Sequence, residues 1–554
     1  MESMHSDKET AQLLVQVLRD RGVSHIVISP GSRNAPLVIE LFNRAYFTLY
    51  SIVDERSAAF FALGLAQQLQ QPVAVCCTSG SAVLNYYPAV AEAFYQQLSL
   101  VVLSADRPRA FVDQGMGQTI RQENVLASHV LQSVNLERSA LASCREVAQA
   151  LDRCKALKRP IHINLPFDEP LYKQTTQSRA FAIPQPEIHI PELDSSTLDD
   201  FIEKWNASVE KMVILGVLFP SVAIQRFVQE LARDPSVVVL SETTSNIRVD
   251  PSFGAIDQLV FPFSDSDFRA YAPEVLLCLG TNVISKKIKS LLRNNQPVFI
   301  GQVGTQSPLP ASFGEITHPF RVDFGVFAKR FVQRVQVKAS SYRSDWDRLK
   351  KYRLAKHQAY LKKVAYSDLK AMEILLDSIP DGYQLQLGNS AIVRYAQLFK
   401  PDPSLRVFAN RGTSGIDGST STALGAAWCV DLPTIFISGD MGFFYDSNAL
   451  WIKYVRPDMR IAIVNNGGGG IFKFVSDLGD SAEAAPFFTT PHTLDARHLA
   501  AMHDYDYQAV SNAEELNRAL DGFYHPSDRP KLLEVFTQNQ ANEAVLKAYF
   551  SSLR

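Results

Sequence analysis

The sequence predicts an α/β protein built from three doubly wound parallel-sheet domains. The first observation is that short apolar runs, each typical of a buried strand, alternate with helical stretches. Near the amino end these runs lie at 25–28, 49–53, 73–77, 100–103 and 161–165. The second observation is that the alternation returns at 212–215, 237–240, 275–279 and 297–300, and again from about residue 364. The length of 554 residues leaves room for three or four domains.

Two breaks in this alternation suggest where the domains end. Residues 174–198 contain three prolines and little periodicity, which is typical of a linker. A charged helical passage over 341–363 is expected to bridge the middle region to the last one. We therefore predict a first domain over 1–180, a middle domain over 195–340 and a last domain over 360–554. The first and last domains repeat one layout, since strands in both lead into similar small-residue turns.

Composition argues against several classes of function. The chain has 55 basic and 57 acidic residues, so its net charge of −2 gives no global field for nucleic acid or an anionic membrane. The six cysteines show neither a CxxC pair nor zinc spacing, which predicts free thiols in a reducing cytoplasm. We see no signal peptide and no run of about 18 apolar residues, so a soluble cytoplasmic protein is expected. Hydrolase and zinc motifs such as GxSxG and HExxH are absent from the sequence.

The most informative stretch lies near the carboxyl end of the chain. The apolar run 434–437 soon ends at Gly439-Asp440, and the run 461–464 ends at two asparagines and four glycines. Asp440 and Asn466 are 26 residues apart, about one strand–helix–strand crossover, so they should lie together at the carboxyl ends of neighbouring strands. Two oxygen donors beside a glycine run suit Mg²⁺ and a phosphate. Either half alone is explained by an ordinary turn; the pair favours a metal site.

This pattern resembles the diphosphate-binding signature of thiamine-diphosphate-dependent enzymes. The resemblance implies that Asp440, Asn466 and the backbone carbonyl of Gly468 hold Mg²⁺ or, in its place, Mn²⁺, and that this ion binds the diphosphate of thiamine diphosphate. It also implies cofactor contacts from Gly442 and Ile471. Met441 stands where the signature usually has glycine, which here comes one residue later. Cofactors of this family lie between the first domain of one subunit and the last of another, so a homodimer or homotetramer is implied.

The same resemblance gives roles to two residues in other loops. Glu55 follows a predicted strand and matches the glutamate that hydrogen-bonds the pyrimidine of the cofactor and activates it, which would make Glu55 catalytic. The alternative is a carboxylate stabilised by the dipole of a helix that begins near Ser57. Ile416 matches the bulky apolar residue that keeps the cofactor bent. By itself, an isoleucine at that position would be explained by core packing.

Arginines recur where predicted strands end. Arg33, Arg107, Arg394 and Arg411 all lie at or just beyond such ends. Arginine forks bind carboxylates bidentately, so the set favours substrates with several carboxylates, although each arginine alone is equally well explained by an ion pair. Most relatives in the family use histidines of the first domain for proton transfer, and none of the eleven histidines is so arranged.

Several segments, among them 29–36, 54–61 and 410–418, resemble more specifically the family members that join 2-oxoglutarate to isochorismate in menaquinone and phylloquinone biosynthesis. The resemblance implies decarboxylation of 2-oxoglutarate and 1,4-addition of the resulting succinyl carbanion to isochorismate. The substrate contacts it implies are Ser32, Arg33, Arg107, Gln118, Lys287, Ser390, Arg394, Arg411 and Phe472. The alternatives are another thiamine-diphosphate-dependent 2-oxo acid decarboxylase or carboligase, and a non-catalytic protein of the same fold.

Overall fold

The structure is a computed structural model that describes residues 4–136, 140–186, 192–305, 309–470 and 485–554. It contains three parallel sheets flanked by helices, which confirms the α/β fold class. The domain boundaries near 180, 195, 340 and 360 stay predictions. Within the described ranges, no helix is both long enough and apolar enough to cross a membrane.

The first sheet is formed by the amino-terminal part of the chain. Its elements are β1 (His5–Ser6), α1 (Glu9–Asp20), β2 (His25–Ile28), α2 (Ala35–Phe42), β3 (Thr48–Ser51), α3 (Glu55–Leu69), β4 (Val73–Cys77), α4 (Ala82–Asn85), α5 (Tyr87–Gln96), β5 (Leu100–Asp106), β6 (Ser133–Asn135), α6 (Ala140–Leu157), β7 (Ile161–Pro166) and β8 (Gln174–Thr175). Six strands pair in parallel in the order β3-β2-β4-β5-β7-β6, whereas β1 and β8 form a separate antiparallel pair.

The second sheet is formed by the middle of the chain. Its elements are α7 (Ser195–Ala207), β9 (Lys211–Leu215), α8 (Val222–Leu231), β10 (Val237–Ser241), α9 (Ile256–Val260), α10 (Asp265–Phe268), β11 (Val275–Leu279), α11 (Lys286–Asn294), β12 (Phe299–Val303), β13 (His318–Phe320), α12 (Phe324–Val332) and α13 (Tyr342–Leu361). The five strands pair in parallel in the order β10-β9-β11-β12-β13.

The third sheet has the same six-strand plan as the first. Its elements are α14 (Asp368–Asp377), β14 (Gln384–Leu387), α15 (Ala391–Ala396), β15 (Arg406–Ala409), α16 (Ser419–Trp428), β16 (Thr434–Gly439), α17 (Asp440–Tyr445), β17 (Met459–Asn465), α18 (Ala485–Thr489), α19 (Arg497–Met502), β18 (Asp506–Val510), α20 (Ala513–Phe523), β19 (Lys531–Phe536) and α21 (Asn539–Ser552). The order β15-β14-β16-β17-β19-β18 matches that of the first sheet position by position.

The chain divides into two compact units. Unit 1 comprises residues 1–189, 412–431 and 444–456, and therefore contains the first sheet together with α16. Unit 2 comprises residues 190–411, 432–443 and 457–554, and contains the second and third sheets. Each unit has its own buried apolar cores. The inner strands are apolar on both faces because helices cover both sides of a doubly wound parallel sheet.

Within unit 1, α3 and α16 are packed backbone against backbone. A Cβ atom placed on Gly64 would lie 2.1 Å from the carbonyl oxygen of Thr422, and one on Gly425 would lie 2.1 Å from that of Phe61. A Cβ on Gly418, just before α16, would lie 2.0 Å from the ring of Phe60. These glycines allow the segment 412–431 to lie directly on the helix that begins with Glu55.

Candidate active site

Asp440 and Asn466 follow the carboxyl ends of two paired strands. β16 pairs with β17 in parallel register, Gly439 opposite Val464, which confirms that the two runs are neighbouring strands. The Asp440 side chain is buried; its Oδ1 accepts a hydrogen bond from the backbone N–H of Met441 at 2.6 Å, and its Oδ2 accepts one from Gly468 at 2.9 Å. Burial raises the pKa of Asp440, and these backbone donors oppose the rise.

Of the two polar atoms of the Asn466 carboxamide, only the nitrogen forms a hydrogen bond with a described residue. Its Nδ2 donates to Oδ2 of the buried Asp368 at 2.9 Å, which orients the amide. Its Oδ1 is buried, and no described residue donates a hydrogen bond to it. A buried carbonyl oxygen without a donor is costly unless a cation or water satisfies it. The carboxylate of Asp440 and this oxygen therefore fit a hard divalent cation that keeps water and phosphate oxygens as its other ligands.

The glycine run next to this pair has a backbone that other residues could not adopt. Gly467 and Gly468 have φ values of +75° and +145°, and a Cβ on Gly468 would lie 2.5 Å from the carbonyl oxygen of Thr489. The sequence analysis did not single out His492, whose Nε2 lies 3.2 Å from Asp440 Oδ2. In the described part of the chain, no group of three or more His, Cys, Asp or Glu side chains is arranged to hold a metal.

Glu55 is the first residue of α3, which begins two residues earlier than the sequence indicates. The N-cap is Asp54, whose Oδ1 accepts a hydrogen bond from the N–H of Ser57 at 3.1 Å. The side chain that caps α3 is therefore that of Asp54, and not that of Glu55. Burial raises the pKa of Glu55, its own backbone N–H opposes the rise, and the charge of Asp54 adds to it. A half-buried carboxyl with a raised pKa is suited to hold or share a proton.

Ile416 lies on a loop that is fixed by a carboxylate from α5. Glu92 accepts hydrogen bonds from the backbone N–H groups of Gly412 and Thr413, both at 2.6 Å, and from the Thr413 hydroxyl at 2.7 Å. The sequence analysis missed Glu92. The available signal was an acidic residue on the otherwise apolar buried face of α5, where it is 1% exposed.

Three of the expected substrate contacts, Ser32, Arg33 and Arg107, follow the carboxyl ends of strands β2 and β5 of the first sheet. Arg33 is buried; its Nη1 donates to the carbonyl of Phe167 at 2.8 Å and its Nη2 pairs with Glu169 at 3.0 Å. Burial lowers the pKa of Arg33, the nearby charge of Arg107 lowers it further, and Glu169 opposes both. Ser32, beside Arg33, is exposed.

A buried hydrogen-bond network, which the sequence analysis also missed, fixes Arg107. Asp106 accepts the N–H of Arg107 at 2.7 Å and the Nδ2 of Asn164 at 2.8 Å, and the Oδ1 of Asn164 accepts from Gln122 at 2.8 Å. The loop containing Gln118 is attached to the turn that follows β4, because the carbonyl of Gln118 accepts a hydrogen bond from the Ser79 hydroxyl at 2.9 Å. Thus Arg107 and Gln118 are placed by buried polar side chains.

The other expected contacts that the structure describes lie in unit 2. Arg394, on α15, and Lys287, at the start of α11, line one cavity of about 660 Å³. Arg411 is buried and donates from Nη1 to Asn389 Oδ1 at 2.9 Å. Ser390, in the turn between β14 and α15, has φ +67°, which is a strained conformation for a residue other than glycine. Gly442 lies in α17, whereas Ile471 and Phe472 lie outside the described residues.

A buried carboxylate, that of Glu242, binds the backbone just before the helix that carries Lys287. Glu242 accepts hydrogen bonds from the N–H groups of Ile284 and Ser285 at 2.7 and 2.8 Å, immediately before α11. Burial raises the pKa of Glu242 to about 7, against the effect of those two donors. Ser285 then caps α11 by accepting the N–H of Ile288 at 3.1 Å. The first turn of α11, which carries Lys287, is therefore rigidly connected to the second sheet.

Comparison with known proteins finds two matching family models. Residues 8–125 match the thiamine pyrophosphate enzyme N-terminal TPP binding domain, and residues 387–535 match the C-terminal TPP binding domain. The chain is 43% identical over 550 residues to the 2-succinyl-5-enolpyruvyl-6-hydroxy-3-cyclohexene-1-carboxylate synthase of Flavobacterium johnsoniae, covering 98% of both chains. It is 43% identical over 544 residues to that of Flavobacterium psychrophilum, again covering 98% of both, and 42% identical over 575 residues to that of Christiangramia forsetii, covering 99% and 100%.

Proposed function

The chain belongs to the thiamine-diphosphate-dependent 2-succinyl-5-enolpyruvyl-6-hydroxy-3-cyclohexene-1-carboxylate synthases, and we propose that it makes that product and CO₂ from 2-oxoglutarate and isochorismate. The observation that supports a cofactor-dependent reaction best is the pair Asp440 and Asn466. A buried carboxylate lies at the end of one strand, and a carboxamide oxygen that no described residue satisfies lies at the end of the next.

We assign the metal ion, Mg²⁺ or Mn²⁺, to Asp440, Asn466 and the carbonyl of Gly468. A divalent cation at this place would favour the ionised form of Asp440 and would oppose the effect of burial, which raises the pKa of this carboxyl. Gly442, Ile416 and Ile471 complete the cofactor contacts. Gly467 and Gly468 allow the backbone to pass close to the proposed metal site, where the Gly468 N–H donates to Asp440.

Thiamine diphosphate supplies, when bound, the electron sink that lets a 2-oxo acid lose CO₂ and react as an acyl carbanion. The chain contributes the proton chemistry through Glu55, whose raised pKa suits a carboxyl that hydrogen-bonds a pyrimidine nitrogen. We therefore assign the catalytic role to Glu55.

The substrates carry several carboxylates between them, and the chain provides cations for them. Arg33, Arg107 and Gln118 in unit 1, and Lys287, Ser390, Arg394 and Arg411 in unit 2, orient these groups, together with Ser32 and Phe472. Such positioning by fixed charges is a large part of catalysis when two anions must react in sequence. We propose a homodimer or homotetramer with active sites between subunits, acting in the cytoplasm without nucleic-acid or membrane partners; the six free thiols support a reducing compartment.

Mass spectrometry of the products of the purified protein tests this proposal. The protein is incubated with thiamine diphosphate, Mg²⁺ and 2-oxoglutarate, with and without isochorismate. We expect an adduct with the mass of isochorismate plus 2-oxoglutarate minus CO₂, which disappears when thiamine diphosphate is omitted. Succinic semialdehyde formed at one rate with and without isochorismate would instead show a simple decarboxylase, and no product despite bound cofactor would show a non-catalytic member of the family.

A further inference from the structure

The carboxyl-terminal helix α21 forms one wall of the cavity that contains Arg394 and Lys287. The cavity, of about 660 Å³, lies within unit 2 between one face of α15, the first turn of α11, the end of α9 and α21. Its volume is in the range of sites that bind small organic ligands. The contributions of α21 include Lys547 and Phe550, neither of which the sequence analysis connected with substrate.

The lining of this cavity is strongly cationic. Five basic residues line it, and among the described lining residues Asp257 is the one acid; the five are Lys286, Lys287, Arg394, Lys547 and Arg554. The Asp257 carboxylate already accepts a hydrogen bond from the Ser285 hydroxyl. Several like charges around one cavity repel one another unless an anion occupies it. The charge distribution therefore favours an anionic ligand with more than one acidic group.

Arg394 is the most deeply placed of these cations. Burial lowers its pKa, and the nearby charges of Asp257 and Glu242 oppose the fall. No described residue accepts a hydrogen bond from its guanidinium or forms a salt bridge with it within 4 Å. A partly buried guanidinium in this situation has its donor atoms available for a carboxylate. The cavity also has an apolar wall, because the rings of Phe261 and Phe550 stack with centroids 3.6 Å apart.

The helix that completes this cavity is fixed from its other face. The buried Tyr549 hydroxyl hydrogen-bonds His357 at 2.9 Å, and the buried Asn542 accepts the N–H of Asp368 at 2.8 Å. Asp368 is the residue that orients Asn466. The cavity face of α21 is thus held in a defined place relative to the proposed metal site, as a substrate-binding wall must be.

We infer that α21 is part of the substrate-binding site and that Lys547 binds a carboxylate of one of the two acidic substrates, together with Arg394 and Lys287. This inference rests on the proposed function. Lys547 also pairs with Glu543 at 2.7 Å, one turn earlier on α21. That pair is exposed, and exposed pairs of this kind contribute little to stability.

Steady-state kinetics of Lys547→Ala and Lys547→Arg test this role. For Lys547→Ala we expect KM to rise about tenfold or more for 2-oxoglutarate or for isochorismate, since a charge-assisted hydrogen bond is lost. The affinity for thiamine diphosphate and the melting temperature should stay at their wild-type values. Lys547→Arg should restore most of the lost affinity, which a purely structural role on an exposed helix face would not explain.

Arg518→Ala is the matched control. Arg518 forms the same kind of exposed pair, with Glu514 one turn earlier on α20, and does not line the cavity. Its KM values should equal those of the wild type. Unchanged KM values for both substrates in Lys547→Ala would overturn the inference, while the wild-type product assay would still decide the proposed function independently.

Discussion

Glu92 and Thr413, 321 residues apart in the chain, are joined by two hydrogen bonds to one carboxylate oxygen, 2.6 Å from the Thr413 N–H and 2.7 Å from its hydroxyl. The other oxygen accepts the N–H of Gly412. One buried acid of α5 therefore sets the path of the loop that contains Ile416. It satisfies backbone donors that would otherwise be buried without a partner.

We expect Glu92→Ala to lower the free energy of unfolding by about 2–4 kcal/mol, because four donors lose their acceptor. The affinity for thiamine diphosphate should fall as well, since the loop with Ile416 loses its support. Chemical denaturation and cofactor titration measure the two effects. Glu514→Gln, at an exposed ion pair, is the control; equal stability of the two variants would contradict this account of the loop.

Asp440→Asn and Asn466→Ala should each weaken Mg²⁺-dependent binding of thiamine diphosphate by about 10–100-fold or more. The reason is that each removes one of the few oxygen ligands of the proposed ion. Titration of the cofactor at several Mg²⁺ concentrations measures this. Asn517→Ala, on the exposed side of α20, should bind the cofactor as the wild type does. Normal metal dependence in both site variants would place the ion elsewhere.

Arg33→Ala and Arg394→Ala should differ in stability although both should reduce turnover. Arg33 is buried and bonded to Phe167 and Glu169, so its removal should lower the free energy of unfolding by about 1–3 kcal/mol. Arg394 has no hydrogen-bond acceptor among the described residues, so its removal should leave stability within about 0.5 kcal/mol. Activity assays beside denaturation curves test this. Near-normal turnover in both variants would remove the arginines from the proposed site.

His162 should make unit 1 sensitive to acid. Burial lowers its pKa from 6.5 to about 4, and its Nε2 hydrogen-bonds Ser104 at 2.7 Å. Because the folded-state pKa is the lower one, the unfolded chain binds more protons between these values. The folded state therefore has its full free energy of unfolding above pH 6.5. As the pH falls towards 4, the free energy of unfolding decreases by up to about 3 kcal/mol.

Relative to the wild type, His162→Gln should therefore lose less stability between pH 7 and pH 4. Melting temperatures recorded at unit pH intervals across that range measure the difference. His498→Gln, at an exposed position on α19, provides the comparison and should follow the wild-type curve. Parallel curves for the wild type and His162→Gln would show that His162 does not titrate on unfolding.

The strands, and the pairing of the two strands that precede Asp440 and Asn466, were predictable because their signals are local. The runs 73–77 and 275–279 coincide with β4 and β11, since a short unbroken apolar run between turn residues is typical of a strand buried on both faces. Spacing alone placed Asp440 and Asn466 just after the ends of adjacent strands, because a crossover has a characteristic length. The start of α3 was predicted two residues late, because capping by Asp54 rather than apolar periodicity decides where that helix begins.

The sequence by itself determined the fold class, the family resemblance and the residues that carry the proposed cofactor chemistry. Only the tertiary structure decided which buried polar groups form hydrogen bonds, such as Glu92 with the 412–413 backbone and Asn164 with Asp106. It also decided that α21 lines the cavity that contains Arg394. The physical reason is that apolar burial is non-directional and leaves a periodic pattern in the chain. A hydrogen bond or charge pair depends on two positions that can be hundreds of residues apart, and no local pattern records its partner.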